Sequence, residues 1–135
     1  MLEISSAALQ RIVANAAVDP KRERCGILFG NDDRIADASV CANVAADPTR
    51  TFEIDPVALF AALRAERAGG ATILGYWHSH PSGDVWPSAT DAGMAVPDGK
   101  IWLIVSGVTV GMWRAGNQSG AVRFDAIPYQ VGEVT

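Results

Sequence analysis

The only two histidines of the chain stand close together in the stretch GYWHSHPSGDVWPSATDAG, residues 75–93. One residue separates His78 from His80, and Asp91 follows the second histidine by eleven positions. Side chains two residues apart on a strand point to the same face, so both imidazoles could approach one ion. Two imidazoles and one carboxylate leave one corner of a tetrahedral zinc site for water, which is the pattern of a catalytic site. Such a water ionises near neutral pH and becomes a nucleophile.

A purely structural explanation of the same residues is a strand followed by a helix cap. A His-x-His pair by itself is more often two partly buried side chains than a pair of ligands. Ser88-Ala-Thr-Asp91 also resembles a capping box, although Asp is shorter than the usual Glu or Gln. A zinc hydrolase further needs a proton carrier and an oxyanion partner. Within residues 75–93 Asp84 is the only other acidic residue, so the base must come from elsewhere.

The elements that position these residues follow from periodicity and turn residues. The predicted helices cover Ile4 to Ala17 with Ser5 as N-cap, Asp55-Pro56 to Gly69-Gly70, and Ser88 to about Ala95. The predicted strands are CGILFG, Arg34 to about Val44, TILGYWHS, IWLIVSG and TVGMWR joined at Gly107, and Val122 to Ile127 after a turn at RAGNQSG. Together these elements predict one α/β domain over residues 1–135, with a sheet flanked by helices.

Composition excludes several classes of function. The net charge is -4 and there is no block of Lys or Arg, which disfavours nucleic acid as a partner. No apolar run approaches the roughly 20 residues of a membrane helix, and the N-terminus lacks a signal pattern, so we expect a cytoplasmic protein with no membrane partner. Cys25 and Cys41 are expected to be reduced, small buried residues.

Two segments resemble the JAMM, or MPN-plus, zinc metallopeptidases: ERCGILFG, residues 23–30, and HSHPSGDVWPSATD, residues 78–91. The family pattern is a glutamate before a small apolar strand, then His-x-His-Pro, an aspartate after ten intervening residues, and a serine three before that aspartate. The segment NVAADPTRTFEIDP is also similar to the small prokaryotic members, so the resemblance covers most of residues 1–115. It implies the MPN fold, a cytidine-deaminase-like curved mixed sheet flanked by helices.

The resemblance also implies a role for each matching residue. His78, His80 and Asp91 would be the Zn²⁺ ligands, Glu23 the general base, and Ser88 a partner of the developing oxyanion. Without the resemblance, Glu23 in KRERCG would be an ordinary solvated charge.

The implied reaction is hydrolysis of a peptide or isopeptide bond at the C-terminal tail of a small ubiquitin-like or sulfur-carrier protein. About nine residues separate Asp91 from the strand at Ile101, which leaves no room for the long insertions of eukaryotic deubiquitinases. Removal of protein modifiers and release of cysteine from a carrier both remain open. The alternative from another class is a non-catalytic MPN scaffold, which a complete ligand set disfavours.

Two tryptophans and one cysteine lie within or next to these two segments. Trp77 and Trp86 flank the histidines and could form an aromatic wall for an extended peptide, although packing is the more common role of Trp. Cys25 is more typical of a core residue than of a nucleophile or a fourth ligand.

Overall fold

An eight-stranded mixed sheet with helices on both faces forms the framework of the computed structural model, which describes residues 1–132. The strands are β1 Leu2–Ser5, β2 Cys25–Asn31, β3 Arg34–Ala38, β4 Thr72–Ser79, β5 Ile101–Ser106, β6 Thr109–Gln118, β7 Ala121–Ala126 and β8 Tyr129–Gly132. The helices are α1 Ser6–Val18, α2 Pro56–Arg67 and α3 Ala89–Met94. The strand order is β7-β6-β5-β4-β2-β3-β1-β8, and the parallel pairs are β4 with β5 and β1 with β3 and β8.

The centre of the sheet is buried on both faces, which explains why its strands are almost continuous apolar runs. On β2 and β5, Leu28 and Leu103 face the cluster that contains α1. Their neighbours Ile27 and Ile104 face the opposite cluster, against which α2 packs. The predicted curved mixed sheet flanked by helices is therefore confirmed.

Two helix N-caps, Ser5 and Asp55, agree with the sequence prediction. The Ser5 side chain accepts a hydrogen bond from Ala8 N, and the Asp55 side chain accepts one from Val57 N. The start of α1 predicted at Ile4 is wrong, because residues 2–5 form a short strand instead. Ile4 is fully buried and pairs with both Ile35 and Val131. A hydrophobic staple before a helix N-cap and a four-residue strand can have the same pattern of apolar residues. Only the tertiary pairing of these residues distinguishes the strand from the staple.

The strand ends also differ from the prediction. β3 stops at Ala38, and the chain beyond it is no longer a regular strand but forms the isolated bridges Cys25–Cys41 and Asn43–Ile54. RAGNQSG is largely strand, because β6 continues to Gln118. Its turn is confined to Ser119 and Gly120, with φ of 54° and 86°, as a two-residue hairpin of type I′ requires. The sequence patterns do not predict β8.

Other predictions concern residues outside these elements. Of the two free thiols, Cys25 is buried, as expected, while Cys41 is only half-buried. Within residues 1–132 no helix is both long and apolar enough to traverse a lipid bilayer. The predicted domain and the stretch YQVGEVT extend to residues 133–135, which lie outside the described residues.

Candidate metal centre

The pairing of β2 with β4 brings the remote glutamate to the histidines. Cys25 lies opposite His78 in this antiparallel pair. Just beyond it, Arg24 N donates to Ser79 Oγ at 2.8 Å and Ser79 N donates to Arg24 O at 3.0 Å. Glu23 lies just before the start of β2 and His80 lies just after the end of β4, so this pairing places the two residues side by side.

Three side-chain atoms converge at this point. His78 Nε2, His80 Nε2 and Asp91 Oδ2 form a triangle in which every side is 3.1 Å. With Glu23, the four side chains offer ligand atoms that all lie within 4.8 Å of one another, and all four residues are buried. The structure thus assembles the whole predicted ligand set together with the predicted base.

The triangle fits a metal ion better than a set of hydrogen bonds. His80 Nδ1 lies 3.1 Å from the Asp84 carbonyl oxygen, which can only accept, so Nδ1 carries the proton. In neutral His80 the Nε2 lone pair is then free to bind a metal, and this outer contact is the usual way to fix the tautomer of a ligating histidine. An ion at the Zn–N and Zn–O distances of proteins needs ligand atoms about 3.3 Å apart in a tetrahedron, close to the observed separation.

Asp91 belongs both to a helix cap and to this cluster. Ser88 Oγ accepts from Asp91 N at 3.0 Å, and Asp91 Oδ2 accepts from Ser88 N at 2.9 Å, which completes a capping box. The same Oδ2 faces both histidines. The structural and functional explanations of SATD are therefore compatible, because the cap orients the carboxylate that the cluster uses.

Glu23 is a buried acid held by its main chain. Its side chain is only 5% exposed, and Oε1 has no hydrogen-bond partner among the described residues. Glu23 N donates to Pro48 O at 2.7 Å, and Asn43 Nδ2 donates to Glu23 O at 2.8 Å. Burial raises the pKa of Glu23 to about 7, with His80 opposing and Asp91 reinforcing the shift. The interpretation of Glu23 as an ordinary solvated charge is therefore wrong.

The other members of the cluster are shifted by their mutual contacts. Burial lowers the pKa of His78 despite its hydrogen bond to Asp91. For His80, burial acts downwards, but contact with Asp91 outweighs it and raises the pKa. Burial would raise the pKa of Asp91, yet its hydrogen bonds with the two histidines hold the pKa below its ordinary value. At neutral pH the pair of imidazoles therefore faces an ionised carboxylate.

A cleft of about 300 Å³ opens beside the cluster. Its walls include Glu23, His80 and Ser88, together with Arg50 and Trp86. Trp86 is 65% exposed and contacts Trp113 in a tilted arrangement, with ring centroids 4.9 Å apart and an interplanar angle of 50°, so its expected packing role holds only in part. The cleft therefore gives solvent access to the cluster.

The remaining sequence candidates lie in the interior. Trp77 is fully buried and donates from Nε1 to Ser39 O at 2.8 Å, as the packing interpretation predicts. Burial raises the pKa of Cys25 to about 12, which keeps its thiol protonated and confirms a core role.

Sequence reasoning missed two residues near the cluster, Phe52 and Asn43. Phe52 stacks on the ring of His78, and Asn43 holds the main chain of Glu23. Both lie in the connecting segment that resembles the family, but no local pattern singles out either side chain.

Curated relatives match most of this region. The chain is 41% identical over 93 residues to a desampylase of Haloferax volcanii, an alignment that covers 67% of each chain. It is 30% identical over 99 residues to a desampylase of Pyrococcus furiosus, covering 73% of this chain and 67% of the relative. It is also 41% identical over 49 residues to a probable TtuB-protein conjugate cleaving protease of Thermus thermophilus, covering 36% of this chain and 33% of the relative.

Solved structures share the fold. A protein from Desulfitobacterium hafniense superposes with a TM-score of 0.82 at 24% identity, covering 99% of this chain and 94% of that one. A JAB1/MPN domain protein from Archaeoglobus fulgidus superposes with a TM-score of 0.61 at 20% identity, covering 98% of both chains.

The curled mixed sheet, the cluster at the ends of β2 and β4, and these relatives define a JAMM-type hydrolase. The family model described as prokaryotic homologs of the JAB domain matches residues 5–117, and the chain belongs to that family.

Proposed function

We propose that this protein is a zinc-dependent isopeptidase that hydrolyses an amide bond at the C-terminal tail of a ubiquitin-like or sulfur-carrier protein. The observation that carries the proposal is the convergence of Glu23, His78, His80 and Asp91 within 4.8 Å beside an open cleft. The names of the desampylase relatives and of the TtuB-conjugate cleaving relative support the substrate class.

In this proposal His78, His80 and Asp91 hold the metal. Two imidazole nitrogens and one carboxylate oxygen suit Zn²⁺ and leave a position open for water or substrate. When bound, zinc would supply a water of lowered pKa and polarise the scissile carbonyl. The buried aromatic and aliphatic side chains around His78 exclude bulk water from the inner side of the site.

Glu23 acts as the proton carrier. Its carboxylate takes a proton from the attacking water as the new C–O bond forms, and passes it to the amine nitrogen as the C–N bond breaks. In the metal-free protein, burial raises the pKa of Glu23 to about 7. A divalent cation nearby favours the charged form of the carboxylate, and so prepares Glu23 as a base.

Ser88 supports the developing negative charge on the carbonyl oxygen. Its Oγ already accepts the hydrogen bond from Asp91 N, so the hydroxyl hydrogen remains available for donation. Ser88 also lines the cleft beside Glu23 and His80, where the reacting carbonyl would lie. A donor fixed by a helix cap needs little reorganisation during the reaction.

The substrate tail would lie extended in the cleft between Arg50 and Trp86. The flat face of Trp86 gives a chain of any side-chain composition a surface to lie against. Beyond Asp91, α3 ends at Met94 and β5 begins at Ile101, so the segment between them is short. This length favours a small carrier protein over a substrate recognised through a particular ubiquitin chain linkage.

The first test joins metal content to cleavage. We expect wild type purified without chelator to carry about one zinc, His78→Ala with His80→Ala to lose it, and Glu23→Gln to keep it. Glu53→Gln removes an exposed carboxylate of the connecting segment and serves as the matched control. A folded wild type that binds no zinc even when it is offered would favour the scaffold alternative.

The same proteins would then be incubated with carrier proteins that end in Gly-Gly. One set carries a C-terminal cysteine and the other an isopeptide-linked lysine. Wild type and Glu53→Gln should cleave at least one set, while Glu23→Gln should cleave neither. The set that is cleaved distinguishes cysteine release from removal of a modifier, and zinc-loaded wild type that cleaves neither contradicts the proposed substrate class.

A further inference from the structure

His78 lacks the outer hydrogen bond that usually orients a ligating histidine. Its ring is fully buried, and Nδ1 has no hydrogen-bond partner among the described residues. Metal-ligating histidines almost always donate from the second nitrogen to a carboxylate, carbonyl or water, as His80 does to Asp84 O. Apart from the contacts of its Nε2 within the cluster, the orientation of the His78 ring therefore depends on packing.

Two aromatic rings supply that packing. Phe52 stacks on His78 with ring centroids 4.3 Å apart and an interplanar angle of 20°. Trp102 meets His78 at 5.7 Å and 89°, and meets Phe52 at 5.8 Å and 71°. The three rings are in mutual contact, so the His78 imidazole cannot turn about its Cβ–Cγ bond without displacing one of the other two rings. Parallel and edge-on contacts at these distances are favourable arrangements of aromatic pairs.

Phe52 lies in a short extended segment that the side chain of Asn43 holds at both ends. Asn43 Nδ2 donates to Thr51 O at 3.1 Å, and Asn43 Oδ1 accepts from Glu53 N at 3.0 Å. The same Nδ2 donates to Glu23 O at 2.8 Å. One amide therefore joins the main chain of the proposed base to both neighbours of the residue that packs on His78.

We propose that Phe52 is a positioning residue for His78 and that Asn43 keeps it in register with Glu23, so that these two residues set the affinity of the site for its metal. The inference rests on the proposed function for the identity of the metal ligands. A ligating histidine is usually oriented by a hydrogen bond from its second ring nitrogen, whereas His78 is oriented by a stacked aromatic ring.

The test compares Phe52→Leu with Phe124→Leu. Phe124 contacts the far side of the same aromatic group, with its centroid 5.2 Å from that of Trp102, but it has no ring contact with His78 among the described residues. Zinc affinity would be measured by competition with a chromophoric chelator, and ligand geometry by the visible absorption of the Co²⁺-loaded protein. We expect Phe52→Leu to weaken zinc binding about 10–100-fold and alter the spectrum. Phe124→Leu should change neither.

Conservative variants separate positioning from loss of structure. Phe52→Tyr keeps the aromatic ring and should therefore retain the zinc affinity and the Co²⁺ spectrum of wild type. If Phe52→Leu is poorly folded by circular dichroism, Phe52→Met, which keeps most of the volume but has no ring, replaces it and should still weaken binding. Asn43→Ala should also weaken binding. Combined with Phe52→Leu it should cost less than the product of the single effects, because residues that act through one contact are not additive.

The outcomes distinguish this inference from the proposed function. A wild type that binds zinc and cleaves a carrier, with Phe52→Leu matching Phe124→Leu in affinity and spectrum, would overturn the inference alone. A folded wild type that binds no zinc would overturn both. Weakened binding in Phe52→Leu with normal binding in Phe124→Leu would support the inference even if none of the tested carriers were cleaved.

Discussion

Replacing Glu23 with Gln should stabilise the metal-free protein at alkaline pH while it abolishes cleavage. Glu23 is 5% exposed, with one carboxylate oxygen unpaired among the described residues, and burial raises its pKa from an ordinary 4.5 to about 7. Folding therefore disfavours the charged form. Gln has nearly the same shape and carries no charge, so Glu23→Gln removes this cost without creating a cavity.

The magnitude follows from linkage between protonation and folding. Because the folded pKa lies above the unfolded pKa, the folded state binds more protons between pH 4.5 and about 7, and stability falls as pH rises through this window. At 1.36 kcal/mol per pKa unit, the ionised side chain costs about 3 kcal/mol at pH 8 and less than about 1 kcal/mol at pH 5. Glu23→Gln should recover this difference at pH 8 and little of it at pH 5.

The assay is urea unfolding of wild type and Glu23→Gln at both pH values, with a chelator present throughout. The exposed Glu53→Gln is the control and should show no comparable pH dependence. The reasoning is refuted if Glu23→Gln is no more stable than wild type at pH 8, or if its advantage is equal at pH 5. Saturating zinc should reduce the difference in the free energy of unfolding between Glu23→Gln and wild type at pH 8, because a cation beside Glu23 stabilises its carboxylate.

Three further outcomes are expected at the rim of the cleft. Ser88→Ala should lower the free energy of unfolding by about 1 kcal/mol through loss of the helix cap, which thermal melting measures. It should also lower kcat by about 10²-fold through loss of the oxyanion donor, which steady-state kinetics measure. An unchanged kcat would contradict the oxyanion role. Trp86→Ala should raise KM for an extended carrier tail with zinc content unchanged; an unchanged KM would remove Trp86 from the substrate path. A Cβ on Gly111 would lie 2.5 Å from Val85 O and 2.9 Å from Trp113 Nε1, so Gly111→Ala should destabilise the protein by about 1–3 kcal/mol and change the intrinsic tryptophan fluorescence. Gly116→Ala, whose Cβ would meet its nearest atom at 3.3 Å, is the milder control.

Local patterns predicted the parts of the site that local geometry determines. The alternation of side chains along β4 is sufficient to put His78 and His80 on one side. The spacing of Ser88 and Asp91 is that of a helix start, and the capping box forms as that spacing suggests. For Glu23 the residues alone gave the wrong interpretation, since KRERCG reads as a solvated charged stretch, and only the family resemblance selected it.

The longest-range features were beyond local reasoning. β1 and β8 each have four residues, and their apolar content is too slight to identify a strand. They exist because they lie side by side in one sheet, with Ile4 opposite Val131. Likewise, nothing in the neighbourhood of Phe52 or Asn43 indicates a tie to the histidines.

The sequence by itself determined which nitrogen and oxygen atoms this protein can offer to a metal ion, and which helix cap presents Asp91. Only the tertiary structure decided the relative positions of these side chains, their burial and their pKa values. The register of β2 on β4 brings Glu23 to the cluster, and burial there raises its pKa to about 7. The stack of Phe52 on His78 is likewise a contact between distant segments. Ligand types are properties of residues, whereas burial, pKa and ring orientation depend on neighbours that only folding supplies.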